Sequence, residues 1–478
     1  MKKYGIFIDG QFVESEGKEF FHVVNPATDE VVSEVPLCTV EDTKRAIQSS
    51  KQAQKKWRAV SSIERATYLK KMAEEVRANA QAFARILNQE QGKPFPQALA
   101  EVNNAVGRLE YDAGWARRVE GEIIPSDSPR ENLMLFKEPL GVVSCILPWN
   151  FPFYVMVRKL APALVTGNTV ILKPSSETPN LTLEFGQVIQ KLCLPKGVVN
   201  IVTGKGSVVG AELCSNPLVN MVTFTGSTEG GQEVMRAAAD SVAKVSLELG
   251  GKAPAVVMND ADLELAVTCV VGGRIRNAGQ VCNSVERVYV QEGIAEKFTA
   301  RVIDRMRKLT IGNGAVEPFP EMGPMINHNA KESVHSDVEH AKAQGAKLAL
   351  GGKIPSQFAK GSYYEPTVLT DCSQDMQIMH KEIFGPVMPI MIFRDVEQVL
   401  ELANDCEYGL TSTLYTSSFK TAMEFANNIE AGELYVNRQQ GEAYAGFHAG
   451  WKKSGIGGDD GKHGMEEFLQ TRTVYMKY

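Results

Sequence analysis

No block of basic residues interrupts this chain, no apolar stretch approaches the roughly 18 residues of a membrane span, and no two cysteines form a C-x-x-C pair. Each absence removes a class of function. The formal charge of −6 is spread over alternating acidic and basic residues, so neither nucleic acid nor an anionic membrane is an expected partner. Cys38, Cys145, Cys193, Cys214, Cys269, Cys282, Cys372 and Cys406 share no spacing and do not cluster with the seven histidines. That excludes a disulfide framework and a structural zinc as expectations, and most of these thiols should be small buried hydrophobes. "MKKYGIFIDG" has two lysines, but only a short apolar segment precedes the Asp9-Gly10 turn. No signal h-region is expected, and the default compartment is the cytoplasm.

What is present is regular. With 478 residues, 44% hydrophobic and 23% charged, the chain exceeds one ordinary core and reads as a soluble protein of two or three domains. "YGIFIDGQFVES" predicts a hairpin around Asp-Gly. In "SSIERATYLKKMAEEVRANAQAFARIL", Ala66, Leu69, Ala73, Val76, Ala80, Phe83 and Leu87 recur in steps of three and four. They predict one long amphipathic helix, with Ser61 and Glu64 at capping-box spacing.

From about residue 140, short β-branched runs alternate with helix-length polar segments: "GVVSCIL" (141–147), "NTVILKP" (168–174), "VVNIVTG" (198–204), "VNMVTFTG" (219–226) and "KVSLELGG" (244–251). Such a pattern predicts a doubly wound α/β fold, a parallel sheet covered on both faces. A second α/β unit begins near 252, with "DADLELAVTCVVGG" as a helix and "VERVYVQ", "GPVMPIMIF", "GLTSTLYT" and "GELYVN" as strands. Met376, Met379, Met388 and Met391 read as packing residues. "NLMLFKEPLG" (132–141) and the terminal "QTRTVYMKY" read as isolated strands of neither unit. Pairing across subunits would satisfy their edges.

"GKGSVVG" offers Gly204, Gly206 and Gly210, but its third glycine falls one position late for a G-x-G-x-x-G fingerprint, so a standard Rossmann assignment is weak. "FTGS" (224–227) lies between a strand and a helix, where Ser227 suits either a phosphate or an N-cap. Lys173 ends a strand, where open α/β sheets bind ligands or where a lysine is simply solvated.

Cys282, in "RNAGQVCNSVERVYV", stands apart from the other thiols because the rest of a carbonyl chemistry can be assembled around it. A thiol nucleophile needs donors for the developing oxyanion and, if an acyl-enzyme forms, a base to activate water. The next histidine along the chain is His328, and no hydrolase-like motif surrounds it. Asn150 in "ILPWNFP" and Glu248 in "LELGGK" lie at predicted strand ends. The three groups sit where three strand C-termini can bring them together.

"ILPWNFP", "GNTVILKP", "FTGS", "LELGGK", "GQVC", "EIFGPV" and "KKSGIGG" resemble, in order and approximate spacing, the aldehyde dehydrogenase superfamily over essentially the whole chain. The tail "GFHAGWKKSGIGGDDGKHG" further resembles its lactaldehyde/glycolaldehyde branch. The resemblance implies two doubly wound α/β domains: an NAD(P)-binding domain over 1–120 and 141–251, and a catalytic domain over 252–446. A small β oligomerisation arm, 121–140 with 463–478, implies a homodimer or homotetramer. It implies oxidation of a small aldehyde to its acid through a thiohemiacetal and a thioester, with no metal. By the same resemblance, Cys282 is the nucleophile, Asn150 with the Cys282 main-chain N–H holds the oxyanion, and Glu248 is the base for deacylation. Glu382 and Phe384 match nicotinamide-ribose contacts, and Trp149, Lys173, Gly206, Gly226 and Ser227 match adenosine and pyrophosphate contacts. Ile146, Ser175, Ser176, Phe224 and Leu249 complete the implied cofactor set.

Two departures from the family pattern bear on specificity. Where K-P-x-E places a carboxylate on the ribose hydroxyls, this chain has Ser176, with Glu177 next. A hydroxyl tolerates a 2′-phosphate that a carboxylate repels, so NADP is expected to be accepted; in the alternative, Glu177 shifts into the site and NAD remains the cofactor. Asn283, Glu442 and His448 match substrate positions of the lactaldehyde branch. Arg158 and Arg276 match the two arginines by which succinic semialdehyde dehydrogenases grip a carboxylate, unless local carboxylates such as Glu286 neutralise them. A small hydroxylated or anionic aldehyde is therefore expected: the 2-hydroxyaldehydes lactaldehyde, glycolaldehyde or sulfolactaldehyde, or the anionic succinic semialdehyde. A CoA-acylating dehydrogenase, a thiol esterase and a non-enzymatic protein on the same fold are the rivals.

Overall fold

The computed structural model describes residues 1–478 and distributes most of its strands between two large sheets. In the first, Lys244–Glu248, Met221–Thr225, Val142–Ile146, Thr169–Lys173 and Val199–Ile201 run parallel in that spatial order. The hairpin Ile6–Ile8 and Gln11–Val13 extends one edge, and Gly455–Ile456 pairs antiparallel along the other. Val143, Cys145, Val170 and Leu172 point into a layer containing helices Ser62–Ala78, Pro152–Thr166 and Asn180–Lys191. Val142, Ile146 and Ile171 point the other way, against helices Val40–Ala59 and Thr228–Ala239. Burial of both faces is why these strands are continuous apolar runs rather than alternating ones.

Chain order and spatial order part company between Val142–Ile146 and Met221–Thr225. From the first of these strands the chain winds outward through Thr169–Lys173 and Val199–Ile201, then returns to the opposite side. At such a reversal the strand C-termini of an open α/β sheet leave a crevice. Asn150 leaves one of these strands and Gly226 and Ser227 leave the other.

The second sheet has the order Lys347–Leu350, Thr367–Thr370, Val387–Phe393, Arg287–Gln291, Pro254–Val257, Thr411–Tyr415 and Glu433–Val436, parallel except at Lys347–Leu350. Met376, Met379 and Met388 are buried in its cores and Met391 packs at their edge. No helix is long and apolar enough to cross a membrane.

Two sequence expectations are corrected. The segment read as one helix is two, Ser62–Ala78 and Ala80–Gln91, divided at Asn79. The Asn79 side chain donates to the Glu75 carbonyl at 2.8 Å, the competition with regular helix that asparagine offers; the apolar spacing continues through the break and does not register it. At the helix start, Ser61 Oγ accepts from the Glu64 N–H at 3.2 Å. Nor are the strands outside the two units isolated. Glu131–Pro139 pairs antiparallel with Leu469–Lys477 along its whole length, with Glu122–Pro125 on its other side. The partner lies at the far end of the chain, where local pattern cannot report it. Only the two outer edges stay unpaired, and Ile123, Phe136, Tyr475 and Met476 are exposed on this sheet.

Candidate active site

Cys282, Asn150 and Glu248 line one cavity of about 480 Å³, together with Arg276, Glu442 and His448. Local sequence explains how such distant residues meet. Glu248 is the last residue of its strand, and Leu249, Gly250 and Gly251 follow. A Cβ at Gly250 would stand 2.6 Å from Glu382 Oε2, and one at Gly251 would stand 2.4 Å from the Cys282 carbonyl oxygen. Only glycine lets the chain pass this close to the nucleophile loop. Cys282 itself is not at a strand C-terminus as expected; it is half-buried on the loop that precedes Arg287–Gln291. Asn277, Ala278 and Gly279 approach it in successive left-handed conformations, with φ of 52°, 56° and 75°. Such strain, of order 1–3 kcal/mol per non-glycine residue, persists because surrounding bonds fix the loop.

The electrostatics centre on Glu248. It is 3% exposed, and neither carboxylate oxygen has a hydrogen-bond partner. Burial pushes its carboxyl up from the usual range, and the nearby His448 charge works against that rise. His448 Nε2 lies 3.5 Å from Glu248 Oε2, while Nδ1 lies 3.0 Å from Glu433 Oε2 and 3.6 Å from Glu442 Oε1. Burial and Arg158 oppose a charge on His448, but Glu248, the Cys282 side chain and Glu433 outweigh them and hold it well above the ordinary histidine range. Burial likewise opposes ionisation of Glu442; His448, Arg158 and Arg276 overcome it and hold that carboxyl at about 2. Asn283 Nδ2 donates to Glu442 Oε1 at 2.7 Å. An imidazolium among carboxylates thus faces the thiol, and a buried carboxylate without donors is costly unless it has work to do.

The two arginines differ. Arg158 Nε donates to Asp460 Oδ1 at 2.9 Å, its Nη2 donates to Asp460 Oδ2, and Asp459 lies at 3.6 Å. Arg158 lines the cavity with its guanidinium paired to these acids, so of the two arginines matched to an anion grip it is the one with local carboxylate partners. Arg276 has no carboxylate within ion-pair distance, stands 5.3 Å from the Phe151 ring and places Nη2 3.5 Å from Asn283 Oδ1. Glu286, the partner considered for these arginines in the alternative reading, instead binds Arg274 at 2.7 Å and Lys252 at 2.8 Å.

Lys159, Glu433, Asp459 and Asp460 were not singled out by sequence. Asp459 and Asp460 lie side by side in "GGDDG" and are almost wholly buried, a fact that a glycine-rich polar tail conceals. Lys159 Nζ donates to Asp459 Oδ2 at 3.2 Å.

Several of the residues implied to hold the cofactor end or follow strands of the first sheet. Ile146 and Lys173 end adjacent strands. Lys173 is 5% exposed rather than solvated, and its Nζ reaches only the Pro174 carbonyl, at 3.4 Å. Burial lowers its pKa to about 8. A buried ammonium with one weak acceptor fits a ligand rich in hydroxyl and phosphate oxygens. Ser227 Oγ caps helix Thr228–Ala239 by accepting from Gly230 N–H at 3.1 Å, and Gly226 N–H donates to the Glu248 carbonyl at 3.0 Å. Phe224 is the next-to-last residue of the strand before that turn, Gly206 opens a π-helical turn, and Leu249 is buried next to Glu248. Ser175 Oγ accepts from Glu177 N–H at 3.3 Å, Ser176 is exposed, and the Glu177 carboxylate accepts from Asn327 Nδ2 at 3.1 Å. From the second sheet, Glu382 Oε1 accepts from Gly251 N–H at 2.9 Å. Phe384, held at φ 54° by its N–H bond to Glu286, packs edge-on against Trp149 at 5.4 Å.

Comparison with known proteins agrees with this arrangement. The chain is 49% identical to lactaldehyde dehydrogenase of Escherichia coli (strain K12) over 475 residues, 99% of each chain. The crystal structure of that enzyme superposes with a TM-score of 0.98 over 100% of both chains. The structure of a 3,6-anhydro-L-galactose dehydrogenase in complex with NAP superposes with a TM-score of 0.97 at 40% identity, covering 99% of this chain and 100% of the other. The family model described as "Aldehyde dehydrogenase family" matches residues 12–474. The chain belongs to the aldehyde dehydrogenase family and is an oxidoreductase that acts on the aldehyde group.

Proposed function

We propose that this enzyme oxidises a short 2-hydroxyaldehyde, of the lactaldehyde and glycolaldehyde kind, to the corresponding acid with NAD or NADP. The observation that carries the reading is the meeting of a half-buried thiol, an amide and a donorless buried carboxylate in one cavity beside His448 and Glu442. The Cys282 sulfur adds to the carbonyl carbon and forms a thiohemiacetal. Its oxyanion takes the remaining Asn150 Nδ2 hydrogen and the Cys282 main-chain N–H. A bound nicotinamide dinucleotide supplies the hydride acceptor. After oxidation the acyl group is held on sulfur as a thioester. Glu248, whose burial favours proton uptake, then accepts a proton from the attacking water, and the Cys282 thiolate leaves. Placement of Glu248 in the cavity favours water over a thiol as acyl acceptor, against a CoA-acylating reaction.

The ionised Glu442 accepts a hydrogen bond and the charged His448 donates one, a pair suited to a substrate hydroxyl. The likeness to the Escherichia coli lactaldehyde dehydrogenase supports the same choice. A second reading rests on Arg276, a cavity-lining cation without a carboxylate partner. It favours an anionic tail, as in sulfolactaldehyde or succinic semialdehyde. For the cofactor, Ser176 leaves the ribose position without a carboxylate and Asn327 engages Glu177, which supports acceptance of NADP.

The exposed three-stranded sheet supports a homodimer or homotetramer. We assign 1–120 and 141–251 to cofactor binding and 252–446 to catalysis, on the division of the two large sheets. Eight free cysteines accord with a cytoplasmic setting. The test is a panel of short aldehydes, neutral, hydroxylated and anionic, each assayed with both cofactors by absorbance of the reduced form. Highest kcat/KM on lactaldehyde or glycolaldehyde supports the reading, and highest kcat/KM on unsubstituted or aromatic aldehydes overturns it.

A further inference from the structure

The main-chain carbonyl of Asn150 is gripped from two sides. Lys93 Nζ donates to it at 2.7 Å and Asn277 Nδ2 at 3.2 Å. The side chain is fixed as well: Oδ1 accepts from the Phe151 N–H at 3.0 Å and Nδ2 donates to the Gln280 carbonyl at 3.1 Å. One Nδ2 hydrogen is left over, with no rotation available that keeps the other bonds. The same Asn277 amide also reaches the Gln280 carbonyl, at 3.3 Å, and Gln280 Nε2 returns a bond to the Asn277 carbonyl at 2.9 Å. Gln280 stands two residues before Cys282. Both oxyanion donors are therefore tied to one knot of buried polar groups.

Lys93 is anchored in turn. Its Nζ also donates to Glu101 Oε2 at 2.5 Å and lies 3.9 Å from the Phe151 ring centroid. Glu101 Oε1 accepts from the N–H groups of Phe153 and Tyr154, at 3.0 and 3.2 Å, at the start of helix Pro152–Thr166. Lys93 and Glu101 are 2% exposed. A buried ion pair of this kind is poor value as a stabiliser, because desolvation offsets most of the attraction and neutral replacements are often as stable. What it does supply is direction: a short, charge-assisted bond that sets where a carbonyl sits.

We propose that Lys93 and Asn277 are positioning residues of the oxyanion hole, clamping the Asn150 carbonyl so that its free amide hydrogen and the Cys282 main-chain N–H converge on one substrate oxygen. Neither residue lines the cavity; both act through Asn150 and Gln280. A misplacement near 1 Å of such a donor costs on the order of 10²-fold in rate. The proposal rests on the role given to Asn150, and the experiment separates the two.

Lys93→Met with Glu101→Gln removes both charges and leaves an acceptor for the Phe153 and Tyr154 N–H groups. Thermal unfolding, steady-state kinetics and Cys282 alkylation by iodoacetamide are compared with the unaltered enzyme, alone and in an Asn150→Ala background. Alkylation displaces iodide at a saturated carbon and builds no oxyanion, so it reports nucleophile access without the hole. The expected result is a kcat lower by about 10²-fold, cofactor KM and alkylation rate within about twofold, and no further loss in Asn150→Ala, as for residues acting as a unit. Unchanged kcat, a parallel fall in alkylation, or full additivity with Asn150→Ala overturns the proposal. Full activity of Asn150→Ala alone overturns the reading of Asn150 and the clamp with it. Asn277→Gly retains the left-handed backbone while deleting the second clamp, and it carries the same expectations should the double replacement fail to fold.

Discussion

His448 Nε2 lies 3.5 Å from Glu248 Oε2, the nearest cationic atom to a buried carboxylate that has no hydrogen-bond donor. The pair sets the pH range of deacylation. Glu248 must be ionised to accept a proton, so the rate falls as pH drops through its raised pKa, and the imidazolium restrains that rise. His448→Gln removes the restraint. The acid limb of the kcat profile should move to higher pH by roughly one unit or more, as for an opposite charge at this range. An unmoved limb, or one displaced to lower pH, contradicts this coupling.

Lys173 should matter to the cofactor and not to the fold. Its ammonium is buried against one carbonyl at 3.4 Å, so Lys173→Met removes a desolvation cost and the melting temperature should hold or rise. Cofactor KM should rise about 10-fold or more, the worth of a hydrogen bond to a charged group. Burial lowers this lysine to about 8, so cofactor affinity in the unaltered enzyme should weaken as pH rises through that value, and the variant should lose the dependence. Titration of cofactor binding by fluorescence across that range reads both effects.

Arg276→Leu deletes the cavity-lining cation that lacks a carboxylate partner. If the substrate is anionic, kcat/KM should fall far more for sulfolactaldehyde or succinic semialdehyde than for lactaldehyde, by roughly 10-fold or more for a charge-assisted contact. Equal losses would remove the anionic tail from the account.

Ser176→Glu restores a carboxylate at the ribose position. The ratio of kcat/KM with NADP to that with NAD should fall at least about 10-fold, since a desolvated carboxylate repels a 2′-phosphate. An unchanged ratio would mean that Ser176 does not face that phosphate.

Much of the architecture was legible because it is local. Parallel buried strands announce themselves as short β-branched runs, and each of the five of the first sheet lies where its run predicted. The ordered motifs were enough to gather Cys282, Asn150 and Glu248 before any coordinates. Contacts between distant segments left no such trace. The partner of Glu131–Pro139 is the last strand of the chain, and Arg158 finds Asp460 across most of the sequence. Lys93 reads as one more surface lysine in "EQGKP" until its Nζ is seen against the Asn150 carbonyl. The next histidine after Cys282 in sequence, His328, stands at the surface 2.9 Å from Asp29, whereas the fold brings His448, matched by resemblance to a substrate position, against the thiol.

The central claim, that Cys282 carries the acyl group and Glu248 releases it, is tested most directly in Glu248→Gln. Mixed with lactaldehyde and a nicotinamide cofactor, this variant should give one equivalent of reduced cofactor per site and then stop, with mass spectrometry locating the acyl group on Cys282. Sustained turnover at the unaltered rate, or an acyl group on any other residue, would contradict the account.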